Sequence, residues 1–129
     1  MTEIDPTLKA LAFVAANGEL AWRRRDVEKA IDAISRSGRA ILGWEVWLTG
    51  DGQAWTGLIP SADGGPPGVW SFNTSARMKD EEWSHYCMRT ASETHSQIQS
   101  QPVEAETSPE AKSALRFNLT YVERPARSR

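Results

Sequence analysis

Two histidines and one cysteine, the residues best suited to chemistry, fall on a single segment. His85, Cys87 and His95 lie in a stretch whose apolar residues recur at helical spacing. On a helix the two histidines are separated by about 15 Å along the axis, so they cannot bind one metal ion together. The sequence contains no second cysteine to complete a zinc site. We therefore expect no metal centre, and no motif indicates another cofactor.

The sequence also contains no suitable set of residues for nucleophilic catalysis. Cys87 falls on the apolar stripe of its predicted helix, where a cysteine behaves as a small hydrophobic residue. A Cys–His pair would need a histidine on another element, but both histidines share this helix. No serine lies in a Gly-x-Ser-x-Gly elbow, and Gly64–Gly65 lacks the spacing of a phosphate-binding loop. We expect a protein that is not an enzyme, with His85 in a surface ion pair with Glu81.

Three consecutive arginines, Arg23 to Arg25, could attract phosphate. They are followed closely by Asp26, Glu28 and Asp32, and the whole chain carries a net charge of −2. Nucleic-acid-binding domains usually concentrate a much larger positive charge. We interpret the arginines as a solvated surface and expect no nucleic-acid partner.

Glu45 is unusual because it lies between Trp44 and Trp47 in the middle of a predicted strand. A carboxylate there must be solvated or paired. It could pair with an arginine such as Arg116 on a neighbouring strand, act as a binding residue in an aromatic patch, or serve as an acid or base. The last role would need a second carboxylate, and the other predicted strands offer none.

The elements that position these residues centre on a hairpin from Ala40 to Ile59. Asp51–Gly52 predicts a two-residue turn, since both residues tolerate positive φ. In that register Leu48 faces Trp55 on an apolar core face, and Trp47 faces Thr56 on the other face. Alternation in a last strand, 113–122, directs Arg116 and Asn118 outward. The predicted partner-binding surface is therefore the set Glu45, Trp47, Thr56, Arg116 and Asn118, with Trp47 exposed as a potential hot spot.

Helical patterns account for most of the remaining chain. Asp5–Pro6 predicts a helix start, followed by apolar residues up to Ala15 and a stop at Asn17–Gly18. A second helix starts at an Asp26 cap and ends at Gly38, and a third runs from Lys79 to about Ser100. Its buried stripe is Trp83, Cys87, Ala91, Thr94 and Ile98. A third strand covers 69–73, with Trp70 and Phe72 on one face.

The predicted fold is α+β: a small, mainly antiparallel four-stranded sheet with helices packed on one face. The length of 129 residues fits one domain, which we place at residues 1–122. Residues 101–112 are polar and contain two prolines, so they predict a mobile connector. Residues 123–129 predict a disordered tail.

The expected cellular compartment is inferred from the number of cysteines and from the N-terminal sequence. One cysteine precludes an internal disulfide and favours a reducing environment. The N-terminal segment is acidic rather than basic, and its apolar run is too short to span a bilayer. We expect a cytoplasmic protein that does not interact with membranes.

The order of motifs resembles that of a known family. A segment ending Glu19-Leu-Ala-Trp22 and a helix 26–34 lead into Ala40-Ile-Leu-Gly-Trp-Glu-Val-Trp47. A strand containing Trp70, a helix containing Glu82-Trp83-Ser-His-Tyr86, and a final aromatic strand follow. From Glu19 to Val122 this is similar to the immunity protein 40 family of bacterial polymorphic-toxin systems. Trp44 replaces a glycine of the family pattern, and Thr90 stands where serine is usual.

The resemblance implies a non-enzymatic protein that binds and neutralises a cognate toxin domain made by the same or a related cell. It supplies no binding residues, so the predicted binding surface depends on strand alternation alone. The alternative is a small-ligand or glycan-binding module that uses the same aromatic sheet face.

Overall fold

The computed structural model describes residues 4–125. The helices are α1 (Pro6–Leu11), α2 (Arg24–Arg36), α3 (Trp83–Ser100) and a 3₁₀ helix (Pro109–Ala114). The strands are β1 (Phe13–Val14), β2 (Leu20–Trp22), β3 (Ala40–Thr49), β4 (Trp55–Thr56), β5 (Ser71–Asn73) and β6 (Leu115–Val122). The α+β class is as predicted.

The sheet is antiparallel and has six strands among the described residues, rather than the predicted four. Its order is β1-β2-β6-β3, and β4 and β5 share the other edge of β3. The two strands missed by the sequence are β1 and β2, which are too short to show clear alternation. Phe13 pairs with Ala21, and the turn between them contains Gly18 at a φ of 88°.

The first helix is correspondingly shorter than predicted. Asp5 caps it by accepting a hydrogen bond from the Thr7 amide at 2.8 Å, and Pro6 occupies its first turn, as expected. It ends at Leu11 because the next residues pair with β2. Asn17–Gly18 is therefore a hairpin turn and not a helix stop.

A bulge sets which residues of β3 face the core. Ile41 pairs with Tyr121 and Gly43 pairs with Thr120, so Leu42 is an extra residue in the ladder. The bulge places both Ile41 and Trp44 in the main core despite their odd spacing. Gly43 permits close approach of β5, since a Cβ there would lie 2.5 Å from the carbonyl oxygen of Phe72.

The β3–β4 hairpin has a three-residue loop, and the predicted two-residue turn is wrong. The Gly50 amide donates to the Ala54 carbonyl at 2.9 Å, which leaves residues 51–53 as the loop. Gly52 supplies the positive φ, 63°, that such loops require. Thr49 consequently pairs with Trp55. A one-residue change of register reverses the face of every β4 side chain.

The two long helices pack on one face of the sheet, over a core that includes Trp22, Trp44, Ile31, Ile98 and Phe117. The predicted stripe of α3 is confirmed: Trp83, Cys87, Ala91, Thr94 and Ile98 are all buried. Phe72 stacks on Trp44 at 4.7 Å between ring centroids.

Both helices start at different residues than predicted. α2 begins at Arg24, with Arg23 as the N-cap, so Asp26 lies in its first turn and is buried. α3 begins at Trp83, and the acidic residues 80–82 precede it.

Residues 101–112 are ordered, contrary to the predicted mobile connector. Val103 is fully buried in the main core, and the Thr107 hydroxyl donates to its carbonyl at 2.6 Å. Of the predicted disordered tail, residues 126–129 lie outside the described residues. Glu123, at its start, forms an ion pair with Arg39 at 3.1 Å.

Candidate binding site on the open sheet face

We call the sheet face opposite the two long helices the open face. Four of the five predicted site residues share it: Glu45 is aligned with Asn118, and Trp47 with Arg116. Thr56 does not, because it is aligned with Leu48 on the helix-covered side. The register error in the hairpin removes Thr56 from the predicted surface.

Trp47 is buried, with 1% of its surface exposed, so the expectation of an exposed hot spot is wrong. The ring of Trp55 stacks on it with centroids 4.0 Å apart, and Phe13 meets it edge-on at 6.1 Å. Ala15 and Ala21 complete the cluster. The exposed aromatic on this face is instead Trp55, at 39% exposure. The burial of Trp47 could not be predicted from the sequence, because Phe13 is brought against it by the pairing of β1 and β2, which are too short to predict.

Asn118 is also buried rather than exposed. Its side-chain amide donates to the Leu20 carbonyl at 2.9 Å and joins β6 to β2. Arg116 is partly exposed and donates to the carbonyls of Ser113 and Leu115 at 2.9 and 2.8 Å. Arg116 is therefore not the ion-pair partner of Glu45.

The Glu45 carboxylate is held in place by the aromatic cluster. Its Oε1 accepts a hydrogen bond from the Trp47 indole nitrogen at 2.6 Å. Its Oε2 lies beside Gly57, 3.8 Å from where a Cβ would be. Trp47 thus engages one carboxylate oxygen. Because the side chain is only half-buried, the other oxygen can accept a hydrogen bond from a ligand.

A groove of about 200 Å³ runs along the open face beside this carboxylate. It includes side chains that the prediction omitted, chiefly Glu19, Ser71, Asn73 and Thr120. Thr120 lies two residues after Asn118 on β6 and therefore on the same face, and the pairing of Ser71 with Glu45 brings β5 to the groove. Strand order, which the sequence does not reveal, decides that these residues meet.

The groove is acidic and rich in hydrogen-bond acceptors. Glu19 and Glu45 both line it, and none of its described lining residues is a lysine, arginine or histidine. Asn17 donates to Glu19 at 2.8 Å, which fixes that carboxylate at the rim. A groove of this kind suits a cationic group such as a lysine or arginine side chain.

The histidines and the cysteine are engaged elsewhere. His85 pairs with Glu81 at 2.6 Å, as predicted, and His95 pairs with Asp32 at 2.8 Å. Burial raises the pKa of the Cys87 thiol. No group of three or more potential metal ligands occurs among residues 4–125.

The pKa of Glu81 is lowered to about 2, chiefly by its hydrogen bonds with Arg89. The Met78 amide and His85 also donate to this carboxylate, whereas burial acts in the opposite direction. This cluster ties the segment before α3 to the helix. It lies on a different element from the open-face groove.

Within the described part of the chain, no helix is long and apolar enough to cross a membrane. Comparison of the chain with protein-family models, with curated protein sequences and with solved structures finds no match.

Proposed function

We propose that this is a non-enzymatic immunity-type protein that binds and neutralises a cognate bacterial toxin domain in the cytoplasm. The order of sequence motifs from Glu19 to Val122 supports the class of protein. The observation that carries the proposed mode of binding is the acidic groove on the open face, with Glu45 oriented by Trp47.

In this proposal the groove receives a lysine or arginine side chain of the toxin. Glu45 accepts a charge-assisted hydrogen bond through the oxygen that Trp47 does not occupy. Because the Trp47 N–H already fixes the carboxylate, little side-chain entropy is lost on binding. Thr120 and Asn73 at the groove supply additional polar contacts.

Apolar contact area would come from the neighbouring sheet edge. Trp55 is 39% exposed, and Leu58 and Val69, in the chain between β4 and β5, are 53% and 62% exposed. Hot spots of protein interfaces are often tryptophans surrounded by such residues. Trp55 thus takes the role that the sequence assigned to Trp47.

A small-ligand or glycan-binding module is the second candidate. The observation that favours it is the partly exposed Trp55 ring, already stacked on Trp47 and therefore rigid. A sugar could stack on such a ring while its hydroxyl groups bond to polar residues nearby. This candidate predicts saturable tryptophan fluorescence changes with oligosaccharides and no stoichiometric protein partner.

The test is capture of a partner from the native bacterium with tagged protein, followed by affinity measurements on variants. We expect a large protein that ends in a toxin-like domain. Glu45→Gln keeps an acceptor for Trp47 but removes the charge, and should weaken binding by roughly 2 kcal/mol, as should Trp55→Ala.

Matched controls lie outside the open face. Glu82→Gln removes an exposed charge before α3, and Met88→Ala truncates a residue that is 69% exposed. Neither should change the affinity. If all four variants bind equally well, the toxin does not use this groove.

A further inference from the structure

A second cavity, of about 330 Å³, lies where α2 and β6 begin. Its walls come from four parts of the chain: residues 23–25, Glu104, Lys112 with Ser113 in the 3₁₀ helix, and residues 115–117. It shares no lining residue with the open-face groove. Five cationic side chains line it, whereas the sequence shows only three of them together.

One of the five cations is neutralised within the protein. Arg24 forms two hydrogen bonds with the Glu104 carboxylate, at 2.7 and 2.8 Å, and a third with the Ile98 carbonyl at 2.9 Å. Its guanidinium also lies over the ring of Phe117, 4.8 Å from the centroid. Arg24 therefore forms part of the wall and keeps Phe117 in place.

The other four cations make no close ion pair, although Lys112, after Arg24, helps to lower the pKa of the Glu104 carboxyl. Among residues 4–125, no carboxylate lies within ion-pair distance of Arg23, Lys112 or Arg116. Arg25 is 3.8 Å from Asp26, which is long for an ion pair, and its side chain is 74% exposed. Burial, together with the charges of Arg23 and Arg25, lowers the pKa of Arg116.

Glu28 and Asp32, which follow the arginines in sequence, do not line this cavity. Asp32 pairs with His95 at 2.8 Å, and Glu28 accepts from Gln99 at 3.0 Å, both on α3. These contacts direct the two carboxylates along the α2–α3 interface. The chain has a net charge of −2, but five of its 15 lysine and arginine residues line this one cavity.

We propose that this cavity binds the phosphate group of a small phosphorylated ligand. Arginine guanidinium groups match the oxygens of a tetrahedral dianion in geometry and charge. An anion bound among Arg23, Arg25, Lys112 and Arg116 would relieve their mutual repulsion. The cavity volume of about 330 Å³ leaves room for more of the ligand than its phosphate group.

The test is calorimetric titration of the full chain with pyrophosphate at about 0.1 M salt, where long-range attraction is largely screened. We expect saturable binding of one pyrophosphate per chain. Arg116→Gln should weaken it about tenfold or more, which corresponds to the loss of one charge-assisted hydrogen bond. Because Arg116 also bonds to two carbonyls, the exposed pair Arg23→Gln and Arg25→Gln gives a second variant that should fold normally.

The control is Arg36→Gln, which removes an exposed charge from the last turn of the same helix. It should leave the affinity within about twofold, as expected for a distant surface charge. Absence of saturable binding overturns the proposal. So does equal weakening by Arg36→Gln, or saturable binding of an oligonucleotide without any binding of pyrophosphate.

Discussion

Replacing Trp47 with alanine is the clearest test between two arrangements: the structure, in which Trp47 is buried, and the one predicted from strand alternation, in which it is exposed. An exposed Trp47 could be truncated at almost no cost in stability. In the structure it is 1% exposed, stacked on Trp55 and bonded to Glu45. Burying a tryptophan removes on the order of 200 Å² from water, which at about 25 cal/mol per Å² sets an upper bound of about 5 kcal/mol.

The expected loss in unfolding free energy for Trp47→Ala is therefore about 3–5 kcal/mol, as for other tryptophan truncations in protein cores. Urea denaturation followed by circular dichroism measures it. With a denaturant slope of roughly 2 kcal/mol per molar, the midpoint should fall by about 2 M. Trp55→Ala, at a partly exposed position, should cost about half as much.

Trp47→Phe keeps an aromatic ring but loses the hydrogen bond to Glu45, and should cost about 1–2 kcal/mol. It remains informative if the alanine variant does not fold. A loss below about 0.5 kcal/mol for Trp47→Ala would show that the residue is on the surface. The description of Trp47, Trp55 and Phe13 as a buried aromatic cluster on the open face would then be wrong.

Two further predictions concern the helix side of the molecule. The Glu81 pKa is depressed to about 2 by Arg89, so the pair stabilises the fold above the ordinary pKa of 4.5, and this contribution is lost as the pH falls from 4.5 to 2. In urea titrations across that range, Glu81→Gln should flatten the decline in stability, and an unchanged slope would contradict the assignment. Val103→Ala should cost about 2 kcal/mol because Val103 is fully buried, whereas Val69→Ala, at 62% exposure, should cost almost nothing. Equal effects in thermal denaturation would mean that 101–112 is a loose connector after all.

The predictions that succeeded concern long periodic segments. The stripe from Trp83 to Ile98 repeats over successive turns of α3, so its buried face and its end near Ser100 could be predicted from the sequence. The alternation of β6 was similarly clear. In both cases local periodicity and tertiary packing agree.

The failures arise where a single residue changes the outcome. Asp51–Gly52 indicates a turn, but does not determine whether Gln53 belongs to the loop or to the strand. That one residue exchanged the faces of Trp55 and Thr56. The bulge at Leu42 likewise could not be predicted from the sequence, since it depends on pairing with the distant strand β6.

The candidate site was only partly predictable for the same reason. Glu45 and its face followed from alternation along β3. The burial of Trp47 depends on Phe13, and the groove depends on Ser71, and both reach the site through long-range strand pairing. The prediction for segment 101–112 was wrong because it relied on the polar composition of the segment, whereas the segment is held by one buried residue, Val103.

Neutralisation is the central functional claim, and a growth assay tests it most directly. The toxin domain of the captured partner would be expressed in a bacterial host together with this protein or with the double variant Glu45→Gln, Trp55→Ala. The proposal predicts that the natural protein restores growth and that the folded double variant does not. Growth arrest despite the natural protein, or equal rescue by the double variant, would contradict it.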